Sequence, residues 1–131
     1  PEDDDKMRES GIRSLLNRRR LRFTTLRDKL SDKNQTSFVI VLAAERLPVL
    51  ETIELQQQLK KAKISVDCLV VNKRSPKGEG DFLEERRAQE EAHMATLTKA
   101  LPKIPRQDLY LLAQDIVGVD ALQNMADRIA E

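Results

Sequence analysis

The residues that could carry chemistry are few, and their spacing excludes more than it supports. A P-loop needs G-x-x-x-x-G-K-[ST], because backbone amides must wrap the phosphates while the lysine reaches their outer oxygens. The glycines are Gly11, Gly78, Gly80 and Gly118, and none opens that pattern. Asn72-Lys73 matches the first half of the guanine-reading Asn-Lys-x-Asp motif, but Ser75 stands where the aspartate is required. The single cysteine, Cys68, and the single histidine, His93, exclude an internal disulfide, a cysteine-rich zinc or iron–sulfur site and a multi-histidine metal centre. Cys68 reads as a small core residue and His93 as an exposed polar one. No catalytic or metal-ligating set is expected. What remains are hydrogen-bonding groups just beyond apolar runs: the Glu45 carboxylate, the Asn72 amide, and the backbone of 113–118. An amide can pair with a purine edge, and a loop can pack on its face.

The elements that must position these groups follow from hydrophobic periodicity. The run Phe38-Val39-Ile40-Val41-Leu42 has no polar alternation and predicts a strand buried on both faces. Pro48 suits a first helical turn, Glu51 and Glu54 suit the positive end of a helix, and Lys60, Lys61 and Lys63 suit its other end. The inner face of that helix is expected at Leu50, Ile53, Leu55, Leu59 and Ala62. The run from Val66 to Val71 predicts a second strand, with Val66, Cys68 and Val70 on one face and Leu69 and Val71 on the other. A third helix is expected from Phe82 to Leu101, its Glu84, Glu85, Arg86, Arg87, Glu90 and Glu91 forming a solvated face. Leu109 to Leu112 predicts a third strand, and Val119, Leu122, Ala126 and Ile129 mark a closing amphipathic helix. Strands alternating with helices imply an α/β fold with a parallel sheet, whose ligands sit beyond the carboxyl ends of the strands.

Ahead of these lies a separate helical segment, expected over 1–35, with the α/β part over 36–131. Ile12, Leu16, Phe23, Leu26 and Leu30 make an amphipathic stripe that Arg19 interrupts, which allows one long helix or two broken near 17–20. Ser10 to Arg27 holds six arginines and no acid, a solvated face or a surface for carboxylate or phosphate groups. Over the 131 residues, Lys plus Arg total 23 and Asp plus Glu total 22, so bulk charge favours no nucleic acid or membrane surface. Few aromatics accompany the arginines, which further argues against nucleic acid. The acidic start PEDDDK is unlike a signal peptide, and a cytoplasmic location is the expectation.

The stretch LRDKLSDKNQTSFVIVLAAERLPVLETIELQQQLKKAKISVDCLVVNKRSP resembles the ArsA-type arsenical pump-driving (anion-transporting) ATPases, a family that includes the ATPase targeting tail-anchored membrane proteins. The resemblance resumes at YLLAQDIVGVDAL, so it spans roughly Leu26 to Glu131. It implies a partial P-loop NTPase-like three-layer fold, a parallel sheet flanked by helices, lacking the P-loop half. It also implies a carboxy-terminal region that completes the adenosine side of an ATP site. By position, Glu45 matches the acid that contacts nucleotide and Asn72 the amide that reads adenine. The loop beside the base is matched by Tyr110, Leu111, Leu112, Ala113, Gln114, Asp115, Ile116 and Val117, and Gly118 fits the turn into the last helix. ATP and Mg²⁺ are implied for the complete protein and neither for this chain alone. Implied partners are the missing P-loop half, a second copy in a homodimer, and a membrane pump or membrane-protein client. The region around DFLEERRAQEEAHM has no Cys-x-x-Cys pair, which favours a bacterial-type member over the zinc-bridged targeting branch. The alternative is a non-enzymatic interaction module using the basic first helix and the charged third helix. As part of a larger sheet, the chain is also expected to expose an apolar sheet edge or face.

Overall fold

A computed structural model describes residues 2–130, which fall into two compact units, 2–37 and 38–130. The first is one uninterrupted helix, α1 (Glu2–Ser31), so the basic middle does not break it. Glu2, Asp3, Asp4 and Asp5 occupy its first turn, where the positive end of the helix dipole favours them. Glu9 accepts from Arg13 at 2.9 Å in the favourable i,i+4 order. The chain then turns on Asp32: its Oδ1 accepts from the Asn34 N–H at 2.9 Å, and the Thr36 hydroxyl donates to the Lys29 carbonyl at 2.6 Å. No residue of α1 is buried, and the Ile12-Leu16-Phe23-Leu26 stripe is exposed.

The second unit runs β1 (Val39–Ala43), α2 (Arg46–Lys61), β2 (Cys68–Arg74), α3 (Asp81–Ala100), β3 (Arg106–Tyr110) and α4 (Val119–Ala130). The strands form one sheet in the order β1-β2-β3, and both pairings are parallel. This is an α/β fold with a parallel sheet flanked by helices, as part of a P-loop NTPase-like domain should have. Its core joins Ile40 and Leu42 of β1, Leu69 and Val71 of β2, Val49 of α2, and Met94 and Leu97 of α3. Burying such side chains stabilises a fold by about 1.5–3 kcal/mol each.

Several sequence expectations shift. β1 is buried on one face only: Val39 and Val41 are exposed, Val41 at 63%. An apolar sheet face is therefore open, as expected of part of a larger sheet. The inner face of α2 holds in part: Ile53 and Leu59 pack against the core, but Val49 and Thr52 are the buried residues while Leu50 and Leu55 are exposed. Because α2 starts at Arg46, Glu51 and Glu54 lie beyond its first turn, which contains no acid. Its far end closes in a Schellman turn: Ile64 N–H donates to the Leu59 carbonyl at 2.9 Å and Lys63 N–H to that of Lys60 at 3.0 Å, with Lys63 at φ +62°. β3 begins at Arg106 because β2 pairs with it from Leu69↔Arg106, extending the strand ahead of its apolar residues. Val119, Leu122 and Ile129 of α4 are exposed. Within α3, Glu90 is buried and His93 half-buried, so the helix is not a solvated projection there. Among the described residues no helix is long and apolar enough to cross a membrane.

Candidate functional site

The carboxyl end of β2 departs from regular pairing. Val71 is opposite Asp108 and Arg74 opposite Tyr110, so β2 advances three residues while β3 advances two. The extra residue is a β-bulge, and Lys73 absorbs it with φ +55°, in the left-handed region. The bulge leaves Asn72 half-buried at the sheet edge. Its Oδ1 accepts from the Lys73 N–H at 2.9 Å, and its amide nitrogen has no protein acceptor among the described residues. One lone pair and two N–H groups of the side chain stay available.

Asn72 lines a cleft of about 660 Å³, within the ~300–1,000 Å³ usual for small-molecule sites. The structure brings to this cleft Tyr110, Leu111, Leu112, Gln114, Asp115 and Ile116, the loop expected to lie beside a ligand. Met125 and Arg128 of α4 close it. Gly118, at φ +86°, makes the turn into α4, and its carbonyl accepts from the Leu122 N–H at 3.2 Å. A side chain at that φ would be strained. Ala113 lines a smaller neighbouring hollow of about 290 Å³. Val117 is exposed and lines neither cavity. Glu45 lines neither: it caps α2 from an extended backbone without a side-chain cap bond, and its carboxylate meets Arg86 of α3 at 3.4 Å.

Lys73, Gln107, Asp108, Leu109, Met125 and Arg128 also line the cleft and were not among the expected site residues. Asp108 stands immediately ahead of the third apolar run, Leu109 to Leu112. It belongs to a buried ion cluster centred on Arg74, which is 1% exposed. Arg74 donates from Nε to Glu90 at 3.1 Å, from Nη1 to Asp108 at 2.7 Å, and from Nη2 to Glu91. Glu90 also accepts from the Ser75 hydroxyl at 2.7 Å and the Ser75 N–H at 3.1 Å. Burial alone would raise the Glu90 pKa, but the bonds from Ser75 and Arg74 outweigh it and hold the carboxyl below its ordinary range. For Arg74 burial works against the charge, yet the bond to Glu90 and the charges of Asp108 and Glu91 raise its pKa. Asp108 Oδ1 is buried without a hydrogen bond; Arg106 Nε lies 2.9 Å away as an ion pair but out of line.

This arrangement offers hydrogen-bond donors and acceptors to a small ligand. Among the described residues no three His, Cys, Asp or Glu side chains are grouped to hold a metal ion.

Residues 5–131 match the family of anion-transporting ATPases. The chain belongs to that family. An ATPase ASNA1 homolog of Trypanosoma cruzi (strain CL Brener) is 31% identical over 107 residues, covering 79% of this chain and 30% of the relative. A protein of Prosthecochloris vibrioformis named as an arsenical pump-driving ATPase is 27% identical over 105 residues, covering 79% of this chain and 26% of its own length. A further ASNA1 homolog, of Leishmania infantum, is 52% identical over 44 residues, 34% of this chain and 11% of the relative. The chain thus spans less than a third of the relatives it matches. Anion-transporting ATPases use a nucleotide and Mg²⁺ in general. Of the two, the hydrogen-bonding side chains of the cleft, Asn72, Tyr110 and Gln114 among them, fit a nucleotide.

Proposed function

We propose that this chain supplies the adenosine side of an ATP site in an anion-transporting ATPase, with the phosphates and Mg²⁺ held by another part of the protein. The carrying observation is Asn72, which lines the cleft at the carboxyl end of the middle strand and whose amide nitrogen has no acceptor among the described residues. In parallel α/β sheets that edge is where ligands bind. An amide offering N–H and C=O side by side matches the N6 donor and ring-nitrogen acceptor of adenine. Tyr110 to Ile116, excepting Ala113, form the wall against which the base packs. Ala113 and Val117 shape the loop from outside the cleft. Glu45, held toward Arg86, reaches nucleotide only if it leaves that pair.

Hydrolysis in this reading belongs to a homodimeric assembly in which the phosphate-binding half completes the site. It is coupled to anion export through a membrane pump or to delivery of a membrane-protein client. The open Val39–Val41 sheet face suits a larger domain in which further structure covers it. The alternative of a pure interaction module loses part of its surface, because Glu90 is buried in the Arg74 cluster.

Photolabelling with an azido-adenine analogue of ATP tests the reading. Label is expected on peptides from Leu109 to Ile116, and excess ATP should displace it. Label confined to other parts of the protein would count against it.

A further inference from the structure

The bulge at Asn72-Lys73 changes which face of the sheet the next side chain occupies. Along β2, Leu69 and Val71 are buried toward α3, and Cys68, Val70 and Asn72 alternate with them. Regular alternation would place residue 73 toward α3 and Arg74 beside Asn72. The extra residue reverses this: Lys73 is exposed and Arg74 is buried against Glu90 and Glu91 of α3. The chain is held on both sides of the reversal. Before it, Val71 pairs with Asp108; after it, the Arg74 guanidinium binds Asp108 and the Arg74 carbonyl accepts from Leu111 N–H at 2.8 Å.

We propose that Arg74 and the left-handed backbone at Lys73 act together as a positioning device that aims the Asn72 amide into the cleft and so sets its preference among purine bases. This rests on the reading of the cleft as the base subsite. Arg74 touches no ligand in this account; it anchors the bulge to α3 and β3. Glu90 and Glu91 belong to α3, so a movement of that helix shifts the anchor, and base affinity follows.

The experiment compares ATP and GTP binding by calorimetry in the longest ATP-binding form of the protein that carries these residues. The variants are Asn72→Ala, Lys73→Gly, Lys73→Val and Arg74→Met, each with its melting temperature. Glycine accepts φ +55° freely and a β-branched valine resists it. Lys73→Gly, the control for loss of the cleft-lining side chain, is expected to lower the ATP-over-GTP ratio less than Lys73→Val does. Lys73→Val is expected to lower that ratio at least fivefold, toward that of Asn72→Ala, and Arg74→Met to do so if it folds. Lys73→Val carries the test whether or not Arg74→Met folds, since Lys73 is exposed. An effect of Asn72→Ala with none from Lys73→Val overturns the positioning device and leaves the base subsite standing. Equal losses from Lys73→Gly and Lys73→Val overturn it as well, by showing that the ammonium itself contacts the nucleotide. No effect of Asn72→Ala removes the base subsite and the proposal with it.

Discussion

Arg74 at the end of β2 and Asp108 within β3 are joined by a 2.7 Å charged hydrogen bond beside the cleft, and the same guanidinium reaches Glu90 and Glu91 on α3. Three elements of the α/β unit therefore meet at one buried cation.

Removing that cation should be costly. Arg74→Met leaves Glu90 buried with Ser75 as its nearest donor and leaves Asp108 with Arg106 as its remaining cation. Losing one partner of a buried pair costs about 3–5 kcal/mol. Glu90→Gln should cost less, since Arg74 keeps Glu91 and Asp108. Chemical denaturation of the two variants, side by side with the parent, checks the order.

The Glu90 carboxyl titrates below its unfolded value, which is about 4.3 for a free glutamate. A depressed carboxyl contributes stability that is fully present above the unfolded pKa and is lost as pH falls through the folded one. Arg74, raised further, stays charged throughout and adds no slope. Stability should thus be flat in Glu90 near neutrality and fall on acidification below about pH 4.3. Glu90→Gln should make that acid limb shallower, which melting temperatures at stepped pH would show.

Lys63 closes α2 with φ +62°, a conformation that costs a non-glycine residue about 1 kcal/mol or more. Its side chain is exposed. Lys63→Gly should stabilise by up to about 1 kcal/mol, the relieved strain exceeding the added unfolded-chain entropy. A lower denaturation midpoint in the variant would contradict the Schellman assignment.

Hydrolysis should be absent from residues 1–131 tested by themselves. Phosphoryl transfer rests on electrostatic cradling of phosphate and Mg²⁺; the sequence has no P-loop pattern, and among the described residues no three acidic, His or Cys side chains are grouped. Turnover that tracked a substitution in this chain would reveal a site that the sequence motifs do not mark.

Much of the fold was legible because apolar runs in buried strands are a strong local signal. Ile40, Leu42, Leu69 and Val71 all lie in the core. Asn72 and the stretch 113–118 were legible as strand-end groups, Tyr110 to Leu112 only through the family resemblance, and the structure places most of them around one cleft. The charged part of α3 was not. Glu90 is polar by composition, and only its three-dimensional meeting with Arg74 and Ser75 makes burial tolerable. The bulge was equally hidden, because nothing in Asn-Lys-Arg announces a left-handed lysine. On α2, Ile53 and Leu59 face the core as expected, but Val49 rather than Leu50 is buried, since the two are equally apolar and only packing chooses between them.

The central claim is that Asn72 reads adenine, and its direct measurement is the ATP dissociation constant of Asn72→Ala in the ATP-binding form of the protein. Loss of one or two hydrogen bonds to a buried base edge costs about 1–3 kcal/mol, roughly tenfold to a hundredfold in affinity. The expected result is a rise in Kd of that size with an unchanged melting temperature and a smaller preference for ATP over GTP. A variant that keeps its fold, its ATP affinity and its preference would contradict the claim and leave Asn72 as a turn residue bonded to the Lys73 backbone.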